Sequence, residues 1–406
     1  MKTLVIFILS IACLSGFAQK KDNRIVIGTV DTVYSNILKE KRVIYIHIPE
    51  GDKNQRYPVL YVLDGESHFQ SAVAIVEQIS GIIPNMVIIG ITNTDRERDL
   101  TPTHVEPYSL LNPDESKHSG GGENFMAFME KELIPYVDTH YPTTTYRTIS
   151  GHSLGGVAVM NAFFNHTNMF NAYVAIDPSL WWDHERWIKK YEGGLSQRDF
   201  HNKALFIAMA NNIPAGMDTI SMFRDTAIIA PVTHAVFPFV QMLRSARPKG
   251  LRWGSKFYPN EWHGSVELNA EYDALRYLFN FYRFDMGPLR QNPALNADSL
   301  LAAHFQTVSA ILGCKMLPTE SDINNLAYYY LGIGKMDNAY ALFKRNTINY
   351  PQSSNAWDSL GDFYAAKGDK PKAIEAYNKS LSLAETQDTR QKLDALKRDK
   401  SEVGSQ

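Results

Sequence analysis

The sequence predicts an α/β fold, a mostly parallel eight-stranded sheet flanked by helices, followed by a small all-α tail. Three observations carry that expectation. Strand-like and helix-like segments alternate from Arg24 to about Tyr282; a short strand, a glycine-rich turn and an apolar helix run together from Arg147; and an internal repeat with a 34-residue period lies beyond Phe284.

Strands are expected at residues 24–30, 42–48, 59–63, 86–91, 148–150, 173–176, 205–210 and 252–258. The first two mix polar with apolar residues and suit an antiparallel edge, whereas 59–63 and 86–91 are continuous apolar runs suited to central parallel strands. Segments 123–139, 155–164, 234–245 and 272–281 place apolar residues near a 3.6-residue period, which predicts helices between and after the strands.

A chain of 406 residues is longer than one ordinary core, so more than one folded unit is expected. Apolar residues at 44% and charged residues at 21% are ordinary for globular structure, and a net charge of -2 gives no electrostatic basis for nucleic acid as the main ligand. Residues 1–18 read as a signal peptide: Lys2, an apolar run from Leu4 to Cys13, then small residues ending at Ala18. Ser10 is a poor fit to a lipoprotein signal at Cys13. The mature chain is therefore expected to be exported, periplasmic or secreted, with no membrane span, because no other segment has about 20 apolar residues in a row. Cleavage would leave Cys314 as the only cysteine, which rules out an internal disulfide and a cysteine-built metal site.

The α/β body is expected over 19–286, a linker and helix over 287–318, and helical repeats with a cap over 319–398. Gly287, Pro288 and Pro293 mark the boundary, and Asp298 to Leu312 form one amphipathic helix. A shift of 34 residues superposes Leu326 on Leu360, Ala327 on Gly361, Tyr330 on Tyr364, Gly334 on Gly368, Ala339 on Ala373 and Phe343 on Tyr377. Period and residue set resemble the tetratricopeptide repeat. Two copies are fewer than the three that usually stand alone, so docking on the preceding helix or the body is expected, with a possible protein partner for the repeats.

Gly151-His152-Ser153-Leu154-Gly155 fits the G-x-S-x-G nucleophile elbow, in which a sharp strand-to-helix turn lifts the serine hydroxyl above the sheet. A serine at its normal pKa needs a base. In this arrangement the base follows the elbow, and His263 stands on a loop after the late strand 252–258. The acid is open between Asp218, Asp225 and Glu261, or the site is a dyad without an acid; Asp218 comes first after the strand 205–210. An oxyanion hole would use the amide of Leu154 with that of Gly65 or Glu66, in the loop after strand 59–63.

These blocks resemble an esterase family of the α/β-hydrolase fold that includes enterochelin (ferric siderophore) esterases, esterase D, feruloyl esterases and mycolyltransferases. The resemblance spans about Asp22 to Phe284. It rests on Leu60 to Gly65, on Gly90 to Asn93 with Arg96 and Arg98 to Pro102, on Gly121-Gly122 with Phe125 and Phe128, on Gly151 to Gly156, on Pro178 to Trp182, and on His263 to Val266. It implies a serine carboxylic-ester hydrolase with Ser153 as nucleophile, His263 as base, an acid near Asp218, amides of Leu154 and Glu66 as oxyanion hole, and no cofactor or metal. Esterase-D-like members are typically intracellular, so with a signal peptide the resemblance implies a siderophore or polysaccharide-linked acyl ester as substrate. The pattern departs at the acid loop, where Asn211-Asn212 stand in place of an expected glutamate. Trp181, Trp182 and Arg96 are candidate substrate-binding residues; packing of the tryptophans and internal pairing of Arg96 are the competing readings. An acyltransferase on the same scaffold, or a non-catalytic binding protein working through the tail, are the alternative functions.

Overall fold

The computed structural model describes residues 24–51, 55–107, 113–191, 193–213 and 231–403. The proposed signal peptide, Asp218 and Asp225 lie outside them. Eight strands form one sheet: β1 (Thr29–Ser35), β2 (Glu40–His47), β3 (Tyr57–Val62), β4 (Val87–Ile91), β5 (Thr143–His152), β6 (Ala172–Ile176), β7 (Asp199–Ala210) and β8 (Lys249–Tyr258). Their order is β1-β2-β4-β3-β5-β6-β7-β8. The pairs β1–β2 and β2–β4 are antiparallel and all others parallel. Every residue of β3, β4 and β6 is buried, as strands covered by helices on both faces must be.

The edge strand differs from the expectation of 24–30. Ile25 and Val26 are exposed, and pairing runs from Thr29 opposite Ile46 to Ser35 opposite Glu40. That register turns Val33 and Ser35 inward, so alternation, not the apolar run, defines the strand. The segment after β3, expected as a loop, is instead the first turn of helix α1 (Gly65–Gln78), which buries Phe69, Ala72, Val73 and Val76. Helix α2 (Leu154–Asn165) starts at the residue after Ser153 and is apolar almost all round, so it lies inside the body. Helices α3 (Pro231–Ala246) and α4 (Glu267–Leu278) complete the cover. The helical run expected at 123–139 is present as Gly122–Phe128, a π turn at Met129–Leu133 and Ile134–His140. Pro135, just past the π turn, has no N–H to donate.

Helix α5 (Ala297–Leu312) joins body and tail: Leu301, Phe305, Val308 and Leu312 are buried in one apolar cluster with Leu275, Phe279 and Leu326. Beyond it stand two helical hairpins, α6 (Glu320–Gly332) with α7 (Met336–Asn349) and α8 (Ser354–Ala366) with α9 (Lys370–Leu383), then α10 (Gln387–Val403). Gly334 and Gly368 occupy the same left-handed turn in each hairpin, at φ 71° and 78°. The repeated positions Leu326 and Leu360, Ala339 and Ala373, and Phe343 and Tyr377 are all buried. Among the described residues no helix is long and apolar enough to cross a membrane.

Gly361 lies against the ring of Tyr377, where an added Cβ would overlap the ring edge. The ring cannot swing freely because its hydroxyl donates to Asp362 at 2.8 Å. Gly361→Val should lower stability by about 1–3 kcal/mol through overpacking, read as the midpoint of urea unfolding. An unchanged midpoint would contradict this packing.

Candidate active site

Five strand ends meet on one edge of the sheet. They supply Asp64 to Glu66 after β3, Ser153 after β5, Asp177 after β6, Asn211 and Asn212 after β7, and the loop carrying His263 after β8. This carboxyl edge is where parallel α/β sheets gather reactive groups, because each strand end turns into a loop there.

Ser153 has φ 60° and ψ −119°, a conformation that L-residues avoid. It is held there by its N–H on Ile176 O at 3.1 Å and by its carbonyl, which accepts from Ser179 N and Val157 N. The turn is tight enough that a Cβ on Gly151 would come within 2.5 Å of Gly155, and one on Gly156 within 2.8 Å of Pro178. Gly155 leaves slightly more room, with its nearest neighbour, Asp64, at 3.2 Å. Ser153 Oγ lies 3.0 Å from His263 Nε2 and 3.2 Å from Ser179 Oγ.

The other imidazole nitrogen, Nδ1, lies 2.6 Å from Asp177 Oδ2, a contact in which the N–H donates to the carboxylate. Asp177 is 1% exposed, and its carboxylate also accepts from Ala210 N and Asn212 Nδ2, each at 2.9 Å. Asn212 binds both partners, since its Oδ1 accepts the His263 backbone N–H at 3.0 Å. The carboxylate on His263 is therefore that of Asp177, which the sequence reading did not weigh. Asp218 and Asp225 lie outside the described residues. Glu261, the third candidate, is turned away: its carboxylate accepts from Ser265 Oγ and Asn269 Nδ2. Asp177 was findable, as the acidic residue directly after a buried apolar strand. Asn212 offered no such signal, since an asparagine in a loop is ordinary.

Leu154 opens α2, and Gly65 and Glu66 open α1. Backbone N–H groups in a first helical turn have no acceptor within the helix, so the amides of Leu154, Gly65 and Glu66 have no partner in their own helices. Gly65 is required for another reason as well: a Cβ there would come within 2.6 Å of the Gly90 backbone in β4. Asp64 sits at φ 53° just before the helix. Its carboxylate takes Arg96 Nε and Nη2 at 2.7 and 2.8 Å, and Asn93 Nδ2 at 2.6 Å. Burial alone would raise the Asp64 carboxyl; the Arg96 hydrogen bonds and charge overcome it and hold it below the ordinary value. Arg96 is thus committed to the Asp64 turn, and its Nη2 also reaches His152 O at 3.4 Å. Trp182 is fully buried and donates to Thr103 O, so it is a packing residue; Trp181 is only partly buried.

Beneath the elbow lies a second polar group. Glu271 of α4 is fully enclosed and accepts from Ser150 Oγ of β5. Burial pushes its carboxyl up to about 7, with the Ser150 hydrogen bond opposing. Beside it His152 is pushed down to about 4 by burial, then by His263 and His68. His68 faces Glu267 at 3.4 Å.

Residues 35–208 match the model of the family described as "Putative esterase". The chain is 32% identical over 170 residues to the ferri-bacillibactin esterase BesA of Bacillus subtilis (strain 168), covering 38% of this chain and 58% of that one. The crystal structure of an IroE-like serine hydrolase from Shewanella oneidensis is similar with a TM-score of 0.65 at 30% identity, over 79% of this chain and 99% of that one. A structure of an uncharacterised protein from Capnocytophaga ochracea shares the fold over 91% of this chain, with a TM-score of 0.61 at 19% identity. The chain spans about half the length of the curated relatives it matches.

The enclosed Glu271 has a measurable consequence. Unfolded, it ionises near the ordinary value of 4.5; folded, it keeps its proton to about pH 7. The folded chain holds the extra proton in that window, so stability is full below it and falls as pH rises through it. Glu271→Gln should remove this loss, gaining on the order of 2–3 kcal/mol relative to the parent between pH 4.5 and 8 in urea titrations. Parallel pH profiles for the two proteins would contradict it.

Proposed function

The chain belongs to the esterase family of α/β hydrolases, and on that premise we propose that it hydrolyses carboxylic esters through a Ser153–His263–Asp177 triad and an acyl-enzyme. One observation carries the reading: a serine in a strained turn lies 3.0 Å from an imidazole whose far nitrogen lies 2.6 Å from a buried carboxylate. Ser153 Oγ attacks the ester carbonyl while His263 Nε2 takes its proton. Asp177 fixes the tautomer with hydrogen on Nδ1 and stabilises the imidazolium. The amides of Leu154 and Glu66 receive the oxyanion. His263 then protonates the departing alcohol, and water releases the acyl group by the reverse sequence of proton transfers.

Arg96 enters this scheme as a positioning residue. By pinning Asp64 and touching the carbonyl of His152, it sets the distance between the two amide donors. Trp181 is the remaining aromatic candidate for contact with substrate. The substrate class is a siderophore ester, supported by the relative named a ferri-bacillibactin esterase and by a second named a siderophore enterobactin esterase, 28% identical over 141 residues. Export fits this substrate, and residues 1–18 have the composition of a signal peptide. The helical tail is read as a pair of tetratricopeptide-like repeats with a cap.

Ser153→Ala should abolish ester hydrolysis with folding intact. Asp177→Asn should lower kcat by roughly 10³–10⁴-fold, as loss of the correct tautomer does in serine hydrolases. Asp218→Asn and Asp225→Asn should stay near the parent rate. Loss of activity in Asp218→Asn with Asp177→Asn fully active would reassign the acid. Among acetyl, feruloyl and ferric catecholate esters, the catecholate should show the highest kcat/KM; a feruloyl preference would overturn the substrate class.

A further inference from the structure

The tail takes no part in the triad, yet together with the body it encloses a cavity of about 620 Å³. One wall is the body, at Ser80 to Ile82 and Tyr282 to Arg290; the other is α5 and the start of α6. The volume is within the range of small-molecule sites, roughly 300–1,000 Å³. Its lining has two chemical parts. Phe284 and Tyr329 present aromatic surface, and Phe305, only 7% exposed, lies at its base. Arg283 and Arg290 also line it, both exposed, and among the described residues neither has a carboxylate partner.

Asp322 is the one acid in the lining, and it is already engaged. It closes the first turn of α6 by accepting from Thr319 Oγ1 at 2.6 Å, while its own N–H donates back to that oxygen. Two arginines against one aspartate leave the lining with one positive charge in excess. Guanidinium groups bind carboxylates through paired N–H donors, and aromatic walls favour a flat apolar body. A neutral apolar ligand would make no use of the two arginines, and a small inorganic anion would leave most of the volume and the aromatic surface unused.

We propose that this seam is a binding site for an aromatic monocarboxylate, with the carboxylate on Arg283 and Arg290 and the ring against Phe284, Phe305 and Tyr329. The site is formed by body and tail together, so its occupant stabilises their docking by mass action. The proposal does not depend on the esterase reading, because no residue of the seam belongs to the triad or the oxyanion loop.

The test uses the full chain and 2-naphthoate as probe, followed by titration calorimetry, with the uncharged 2-naphthamide as comparison. Naphthoate should bind with one-to-one stoichiometry and roughly tenfold tighter than the amide. The double variant Arg283→Gln/Arg290→Gln should weaken it by at least that factor. Ser321→Trp, on an exposed rim residue, should block it by filling the mouth. Hydrolysis rates should be unchanged in both variants, which also shows that they fold. No saturable heat at millimolar naphthoate, equal binding of acid and amide, or binding that survives both variants would each overturn the assignment.

Discussion

The hydrogen bond between His263 and Asp177 is the contact around which this end of the molecule is arranged. A buried carboxylate costs several kcal/mol unless its lone pairs are satisfied, and Asp177 meets that demand from three directions. It takes the Ala210 amide where β7 ends, the Asn212 side chain one turn of loop later, and the His263 imidazole after β8. Three neighbouring strand ends are thereby tied to a single oxygen pair. Asn212 tightens the arrangement by accepting the backbone N–H of His263 as well. The imidazole is then left with one free direction, toward Ser153.

A second constraint operates on the opposite side of the elbow. The turn at Asp64 is left-handed and brings Gly65 so close to β4 that a Cβ there would overlap the Gly90 backbone. Arg96 pairs with Asp64, and Arg96 is itself carried on a short helix, Arg96–Leu100, whose Asp99 binds Arg42 of β2 and Arg98. Arg98 also pairs with Glu40 at 2.6 Å. The edge of the sheet and the Asp64 turn are thus linked through two sets of ion pairs joined by this short helix. Because Arg42 and Asp99 are both about 1% exposed, each needs its charge met within the protein, and each has two ionic partners: Asp99 has Arg42 and Arg98, and Arg42 has Asp99 and Glu40.

Much of this was readable from local pattern. The two central strands declared themselves by continuous apolar runs, the elbow by its glycines and its place between strand and helix, and the hairpins by a 34-residue period that repeats the same buried positions. His263 was readable from loop position and chain order. Asp177 stands out locally as an acid directly after a buried apolar strand, but its pairing with His263 follows from β6, β7 and β8 lying side by side in register, a long-range fact that no window of sequence contains. The pairing of Arg96 with Asp64 is hidden for the same reason: 32 residues separate two groups that the sheet brings to 2.7 Å.

The arrangement stands or falls on a proton held between His263 Nδ1 and Asp177. Proton NMR of the full chain in water reads it directly. The account predicts one imidazole N–H resonance well downfield of the amide region, retained in Ser153→Ala and absent from both Asp177→Asn and His263→Ala. A resonance that persists in Asp177→Asn, or one abolished by Asp218→Asn, would contradict it.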